Sequence, residues 1–194
     1  MASLPEYRLT PDEYLRMERA AEFKSEYDDG VIIAMSGASF RHNLIVTGLV
    51  HSLVSRVRKG CHVLPSDMKV RVVNPTRFFY PDVSVVCERP QFADDERDVL
   101  LNPLIVIEVL SDSTEKYDRS RKFLSYQGIA SLQQYVLVSH ESALVEHFRR
   151  EADHWIYTKS EDLDAAVTLP AAGCEIPLRE IYLQVDFSEA ATSS

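Results

Sequence analysis

The segment from Leu104 to Leu110 (LIVIEVL) carries one acid, Glu108, among apolar neighbours. A run so continuously apolar reads as a strand covered on both faces. An ionised carboxylate buried there without a partner costs several kcal/mol. Any fold for this chain must cover that strand and still provide for its acid. Glu108 must be ion-paired, bind a metal, or stand at a sheet edge facing solvent.

A second acid has a similar setting. Asp82 opens the run PDVSVV, directly after Pro81, a residue that cannot donate to a sheet ladder. Pro81 marks a strand start or a bulge, where a carboxylate can be aimed into a cleft. Taken alone, Asp82 also fits an ordinary turn or cap. Two apolar strands, each carrying one acid, can bring both acids to one point. Carboxylates a few Å apart repel unless a proton or a cation lies between them. A hard divalent cation, Mg²⁺ or Mn²⁺, meets that need.

Lys122 lies 14 residues beyond Glu108, on a segment that reads as an amphipathic helix over 117–127. Asp118, Lys122 and Tyr126 share one helix face at i, i+4, i+8. Phe123 and Leu124 point to another face, where core packing is expected. Lys122 is either a solvated partner of Asp118 or an ammonium reaching back over the sheet. Glu26, before a hairpin turn, and His42, in the first turn of a long helix, are further candidates for the same cleft. A half-buried histidine with one hydrogen bond is the plain alternative for His42. The other five histidines show no metal-ligand spacing.

The rest of the chain reads as a single α/β or α+β domain over 1–187, with a small-residue tail at 188–194. Thr10-Pro11-Asp12-Glu13 is a capped helix start, with a helix expected to about Ala21. Asp28-Asp29-Gly30 separates two strands as a hairpin turn. Helical spacing predicts a long helix from about Ser39 to Lys59. Strands are expected at 62–64, 69–73, 80–87 and 104–110, with a charged loop at 88–102. A meander follows at 134–138, 143–149 and 155–159, then 167–169 and a segment at 178–183. The expected architecture is a mixed sheet with helices packed on it.

Thirty acids against 21 lysines and arginines leave a net charge of −9. That excludes a histone-like protein that grips nucleic acid by bulk charge. Basic residues are local: Arg56, Arg58 and Lys59; Lys69 and Arg71; Arg119, Arg121 and Lys122. Cys61, Cys87 and Cys174 form no CxxC pair, so reduced, partly buried thiols are expected rather than a disulfide or a zinc site. The first residues show no apolar signal core, and no run approaches the ~18 residues of a membrane span. A cytoplasmic protein is the expectation, with no membrane partner. No G-x-S-x-G elbow, Walker loop or G-x-G-x-x-G is present.

The order YPDVSVV, then PLIVIEVLSDSTEKYDRSRKFLSYQGIASLQQYVLV, resembles the Uma family of "putative restriction endonucleases" in the PD-(D/E)XK nuclease superfamily. SEYDDGVIIAMSGASFRHNLI resembles its N-terminal part, and the likeness covers roughly residues 8–185. The resemblance implies a restriction-endonuclease-like mixed β-sheet core flanked by helices, here with an additional antiparallel β meander. It also implies Mg²⁺-dependent (or Mn²⁺-dependent) endonuclease activity on DNA through a metal-activated water, RNA being a second possible substrate. Pro81-Asp82 matches the PD element and Glu108 the second acid. The main-chain carbonyl of Val109 would be a third metal ligand. The superfamily lysine would fall at Leu110. The family instead carries it on the following helix, at Lys122. Glu26 and His42 match an acid and a histidine of the family's N-terminal part. Arg41, Arg119 and Arg121 are the candidate phosphate contacts. A catalytically silent nucleic-acid- or protein-binding module of the same fold is the alternative, as is a hydrolase of small phosphates. A homodimer is the expected assembly.

Overall fold

The computed structural model describes residues 8–188; the tail expected at 188–194 lies outside it but for Ser188. Helix α1 (Pro11–Ala20) starts as its sequence requires, with Thr10 and Glu13 forming a reciprocal capping box. The hairpin β1 (Ser25–Asp28) to β2 (Val31–Ala34) turns on Asp29 and Gly30, both at positive φ. Glycine takes that conformation without strain, and a tight turn matched to strand twist needs it. Helix α2 (Phe40–Arg56) is capped by Ser39.

The strands β3 (Cys61–Pro65), β4 (Lys69–Val72), β5 (Arg77–Phe79), β6 (Val83–Cys87), β7 (Val99–Leu100) and β8 (Ile105–Val109) follow. One helical passage then combines α3 (Glu115–Tyr117), a π-helical stretch (Asp118–Lys122) and α4 (Phe123–Tyr126). The chain ends with β9 (Gln134–Val138), β10 (Leu144–Glu151), β11 (His154–Glu161), β12 (Ala166–Leu169), a 3₁₀ turn, β13 (Cys174–Pro177) and α5 (Leu178–Ile181).

Two larger sheets form, rather than one. The central sheet is six-stranded, in the order β11-β10-β9-β8-β6-β3. It is mixed, because β8 and β9 run parallel and the other pairs antiparallel. A parallel pair needs a crossover, and α3 to α4 supplies it. The expected meander is the β9-β10-β11 end of this sheet. The second sheet, β2-β1-β5-β4-β7, contains two short strands that the sequence reading missed, β5 and β7. β12 pairs with β13, also missed, and the segment at 178–183 contains the short helix α5.

Alternation along β8 assigns its residues to two cores. Ile105, Ile107 and Val109 join Ile45, Leu49 and Leu53 of α2 in one core, with α5 and the β12–β13 hairpin. Val106 and Leu110 join the other, with Val70, Val72 and Phe79 of the second sheet and Tyr126 of α4. Glu108 has the parity of Val106 and Leu110, so it faces the second core. The expected cover on both faces is thus present, and the acid lies inside it.

Three expectations are corrected. The strand foreseen at 80–87 begins at Val83, which leaves Tyr80-Pro81-Asp82 free of the ladder. Leu124 is 68% exposed and supplies no core. The π-helical stretch before it bonds i→i+5, so face assignments based on 3.6 residues per turn slip there. Cys61 and Cys87 are bonded as a disulfide, because the antiparallel β3–β6 register sets them directly opposite each other. Cys174 alone is a free thiol. No helix among the described residues is long and apolar enough to cross a membrane.

Gly48 marks the tightest contact of α2 with α5. A Cβ there would lie 2.3 Å from the Ile181 carbonyl oxygen and 2.8 Å from that of Glu180. Backbone cannot give way as a side-chain tip can. Gly48→Ala should destabilise the fold by about 1–3 kcal/mol, read as a lower midpoint in urea with unchanged slope.

Candidate active site

Lys122 is the centre of the site. Its Nζ lies 3.1 Å from Glu26 Oε1, 3.1 Å from Glu108 Oε1 and 3.5 Å from Asp118 Oδ1. All four side chains are more than nine-tenths buried. The ammonium also sits over the Phe79 ring, 5.8 Å from its centroid. Three elements meet here: β1 brings Glu26, β8 brings Glu108, and the π-helical stretch brings Asp118 and Lys122. Lys122 is not a solvated surface lysine.

Glu26 and Glu108 are each oriented by a group outside the cluster. The Tyr80 N–H donates to Glu26 Oε1 at 3.1 Å. Tyr80 is itself fixed, because its hydroxyl donates to Glu18 and receives Lys69. The Tyr126 hydroxyl donates to Glu108 Oε1 at 3.3 Å. Asp82 stands next to this cluster at the head of β6. Its Oδ2 accepts the Val109 N–H at 2.7 Å and lies 3.2 Å from His42 Nε2. The Val109 peptide therefore joins Asp82 to the strand that carries Glu108.

Burial and mutual repulsion shape the charges. Burial drives the Glu108 carboxyl well above the usual carboxylate range. Lys122 opposes that shift, and Asp118, Asp82 and Glu26 add to it. For Lys122, burial favours the neutral amine, but Glu108 and Glu26 outweigh it and hold the ammonium charged. Asp118 is raised by burial, against Lys122. Burial would lower His42, yet the Asp82 carboxylate and the Val109 carbonyl raise it above its ordinary value.

The other candidate residues are placed as follows. Arg41 donates to the carbonyls of His140 and Asp186. Arg119 is ion-paired with Glu115 and Glu146. Arg121 is paired with Asp28, which also holds Arg77. The sequence reading brought Asp118 and Tyr126 only to the shared helix face, and it missed Tyr80. It also missed Asp112, His140 and Glu141, whose ligand atoms lie within 4.8 Å of one another. Asp112 follows β8 and His140 follows β9, so the two parallel strands bring them together.

A mixed sheet with a helical crossover, one acid on β8, a second just before β6 and a buried lysine beside them describe an α+β protein with a polar centre. The Uma2 family profile, described as "Putative restriction endonuclease", matches residues 11–179, and the chain belongs to that family. Two proteins of Synechocystis sp. (strain ATCC 27184 / PCC 6803 / Kazusa), both described as uncharacterized, are related in sequence. One, sll1609, is 36% identical over 78% of this chain and 86% of its own length. The other, slr1290, is 34% identical over 95% of this chain and 97% of its own length. A crystal structure titled as a putative nuclease belonging to DUF820 from Anabaena variabilis ATCC 29413 shares the fold. Its TM-score is 0.71 at 19% identity, covering 90% of this chain and 98% of that one.

The raised value of His42 has a defined sign. The pair with Asp82 stabilises the fold fully below the ordinary histidine value of about 6.5, and this contribution is lost as pH rises through the higher folded value. An NMR titration should place His42 above 6.5 in the wild type. In Asp82→Asn it should fall, since burial is then opposed only by the Val109 carbonyl and the more distant Asp118.

Proposed function

We propose that the protein is a Mg²⁺- or Mn²⁺-dependent endonuclease that hydrolyses DNA phosphodiester bonds at the Asp82–Glu108–Lys122 site. The observation that carries this reading is the buried ammonium of Lys122, shared by Glu26 and Glu108 beside Asp82. A structural ion pair needs one acid per base. Here three acids surround one lysine, and Asp82 adds a fourth carboxylate beside it.

The residues fit a hard cation. Every donor is oxygen, as Mg²⁺ and Mn²⁺ require. Asp82 and Glu108 each make the bonds described above through one carboxylate oxygen only, Oδ2 and Oε1. Asp82, Glu108 and the Val109 carbonyl would hold the cation. When bound, it would polarise the phosphoryl oxygens and lower the pKa of water.

Lys122, kept charged by Glu108 and Glu26, can neutralise charge building on the phosphate or orient the attacking water. Glu26, pinned by the Tyr80 N–H, keeps that ammonium in place. His42 orients Asp82 and can donate to phosphate in its charged form. Arg41 stands next to it at the start of α2. Arg119 and Arg121 would meet the nucleic acid only by sharing or leaving their present carboxylates, so backbone affinity should be modest. The proposal includes a homodimer, which would let two sites address two strands.

The second reading is a binding module of the same fold that does not cut. The observation favouring it is that the three candidate arginines are all engaged within the protein, in a chain of net charge −9. Cleavage of plasmid and single-stranded DNA and of RNA, with Mg²⁺, Mn²⁺ or EDTA, separates the two. The proposal expects metal-dependent nicking of DNA that drops about 10²-fold or more in Glu108→Gln and in Lys122→Met, both still folded. Binding of nucleic acid without cleavage in any metal would establish the module instead.

A further inference from the structure

The proposed chemistry leaves one buried acid without a task. Asp118 opens the π-helical stretch that Lys122 closes, and its side chain is 4% exposed. Its Oδ1 is buried and makes no hydrogen bond among the described residues, though Lys122 Nζ is only 3.5 Å away. Buried polar atoms are rarely left in that state. Lys122 meanwhile directs its two shorter contacts, both 3.1 Å, to Glu26 and Glu108.

This arrangement creates a conflict when a divalent cation approaches Glu108. Oε1 of Glu108 already receives Lys122 and Tyr126. An ammonium and a divalent cation at the same carboxylate repel each other, strongly so in a dry site. Lys122 then needs another acceptor on its far side. Glu26 cannot shift easily, because the Tyr80 N–H fixes the oxygen that Lys122 uses. Asp118 lies four residues before Lys122 on the same helical passage, so the two backbones keep a constant separation. A shift of a few tenths of an ångström brings 3.5 Å to hydrogen-bond distance.

We propose that Asp118 is a positioning residue that takes over the Lys122 ammonium when Glu108 turns to a divalent cation. Lys122 pivots on Glu26, leaves Glu108 and closes on the unspent oxygen of Asp118. The proposal rests on the metal-dependent reading above. It explains why a carboxylate is kept buried with an unused oxygen, and why it sits where the π-helical stretch begins.

The test is Mn²⁺ binding to the full chain by calorimetry, in the wild type, Asp118→Asn, Lys122→Met and the double variant, each checked for folding by circular dichroism. Asp118→Asn should weaken Mn²⁺ binding about tenfold when Lys122 is present. It should change nothing when Lys122 is already Met, because no ammonium then needs a holder. Equal weakening in both backgrounds would make Asp118 a direct ligand and overturn the proposal. Unchanged affinity in Asp118→Asn would overturn it too. A folded wild type that binds no Mn²⁺ would remove the metal-dependent reading itself, and the hand-over with it. If Asp118→Asn does not fold, Asp118→Ser taken through the same cycle decides between the same outcomes.

Discussion

Everything at the centre of this protein is arranged around one buried ammonium. Removing Lys122 would leave Glu26, Glu108 and Asp118 facing one another between two sheets. Breaking a buried ion pair by deleting one partner commonly costs about 3–5 kcal/mol, and here one base serves three acids. The fold accepts that burden in a defined place. Glu108 lies on the face of β8 shared with Val106 and Leu110, and it is met from the other side by the helical passage that carries Lys122. A hydrophobic cluster of the same shape would pack at less electrostatic cost. The charged version is what a protein needs if the site is to receive a cation and a phosphate.

The supporting shell shows how far the constraint spreads. Tyr80 links Glu18 of α1 and Lys69 of β4 to Glu26, and the next two residues are Pro81 and Asp82. The Val109 N–H links Asp82 to β8, and Ser39 caps the helix that holds His42. The second sheet therefore does more than cover the central one. Through β1 it delivers Glu26, and through β5 it delivers Phe79 beneath the ammonium. The Cys61–Cys87 bond ties the edge strand β3 to β6, the strand that Asp82 precedes.

Much of this was legible in the chain. A lone acid in LIVIEVL has few places to go, so Glu108 announces itself. Pro81 before Asp82 marks a strand start, and the structure begins β6 one residue after Asp82. Asp118 was harder to read, because an Asp–Lys pair at i, i+4 is ordinary on an exposed helix. Leu124 was misplaced because the π-helical stretch shifts the faces that follow it. The short strands β5 and β7 carry too few residues for a period to show. Cys61 and Cys87 are 26 residues apart, and only the β3–β6 register reveals that they meet. Asp112, His140 and Glu141 likewise come together only because β8 and β9 are parallel neighbours.

The proposed chemistry depends on Asp82 and Glu108 forming a divalent-cation site beside Lys122. Anomalous scattering from crystals soaked in Mn²⁺ tests it most directly. A peak is expected about 2.1 Å from carboxylate oxygens of both Asp82 and Glu108. A single peak at Asp112, His140 and Glu141, with Asp82 and Glu108 empty at saturating Mn²⁺, would contradict it.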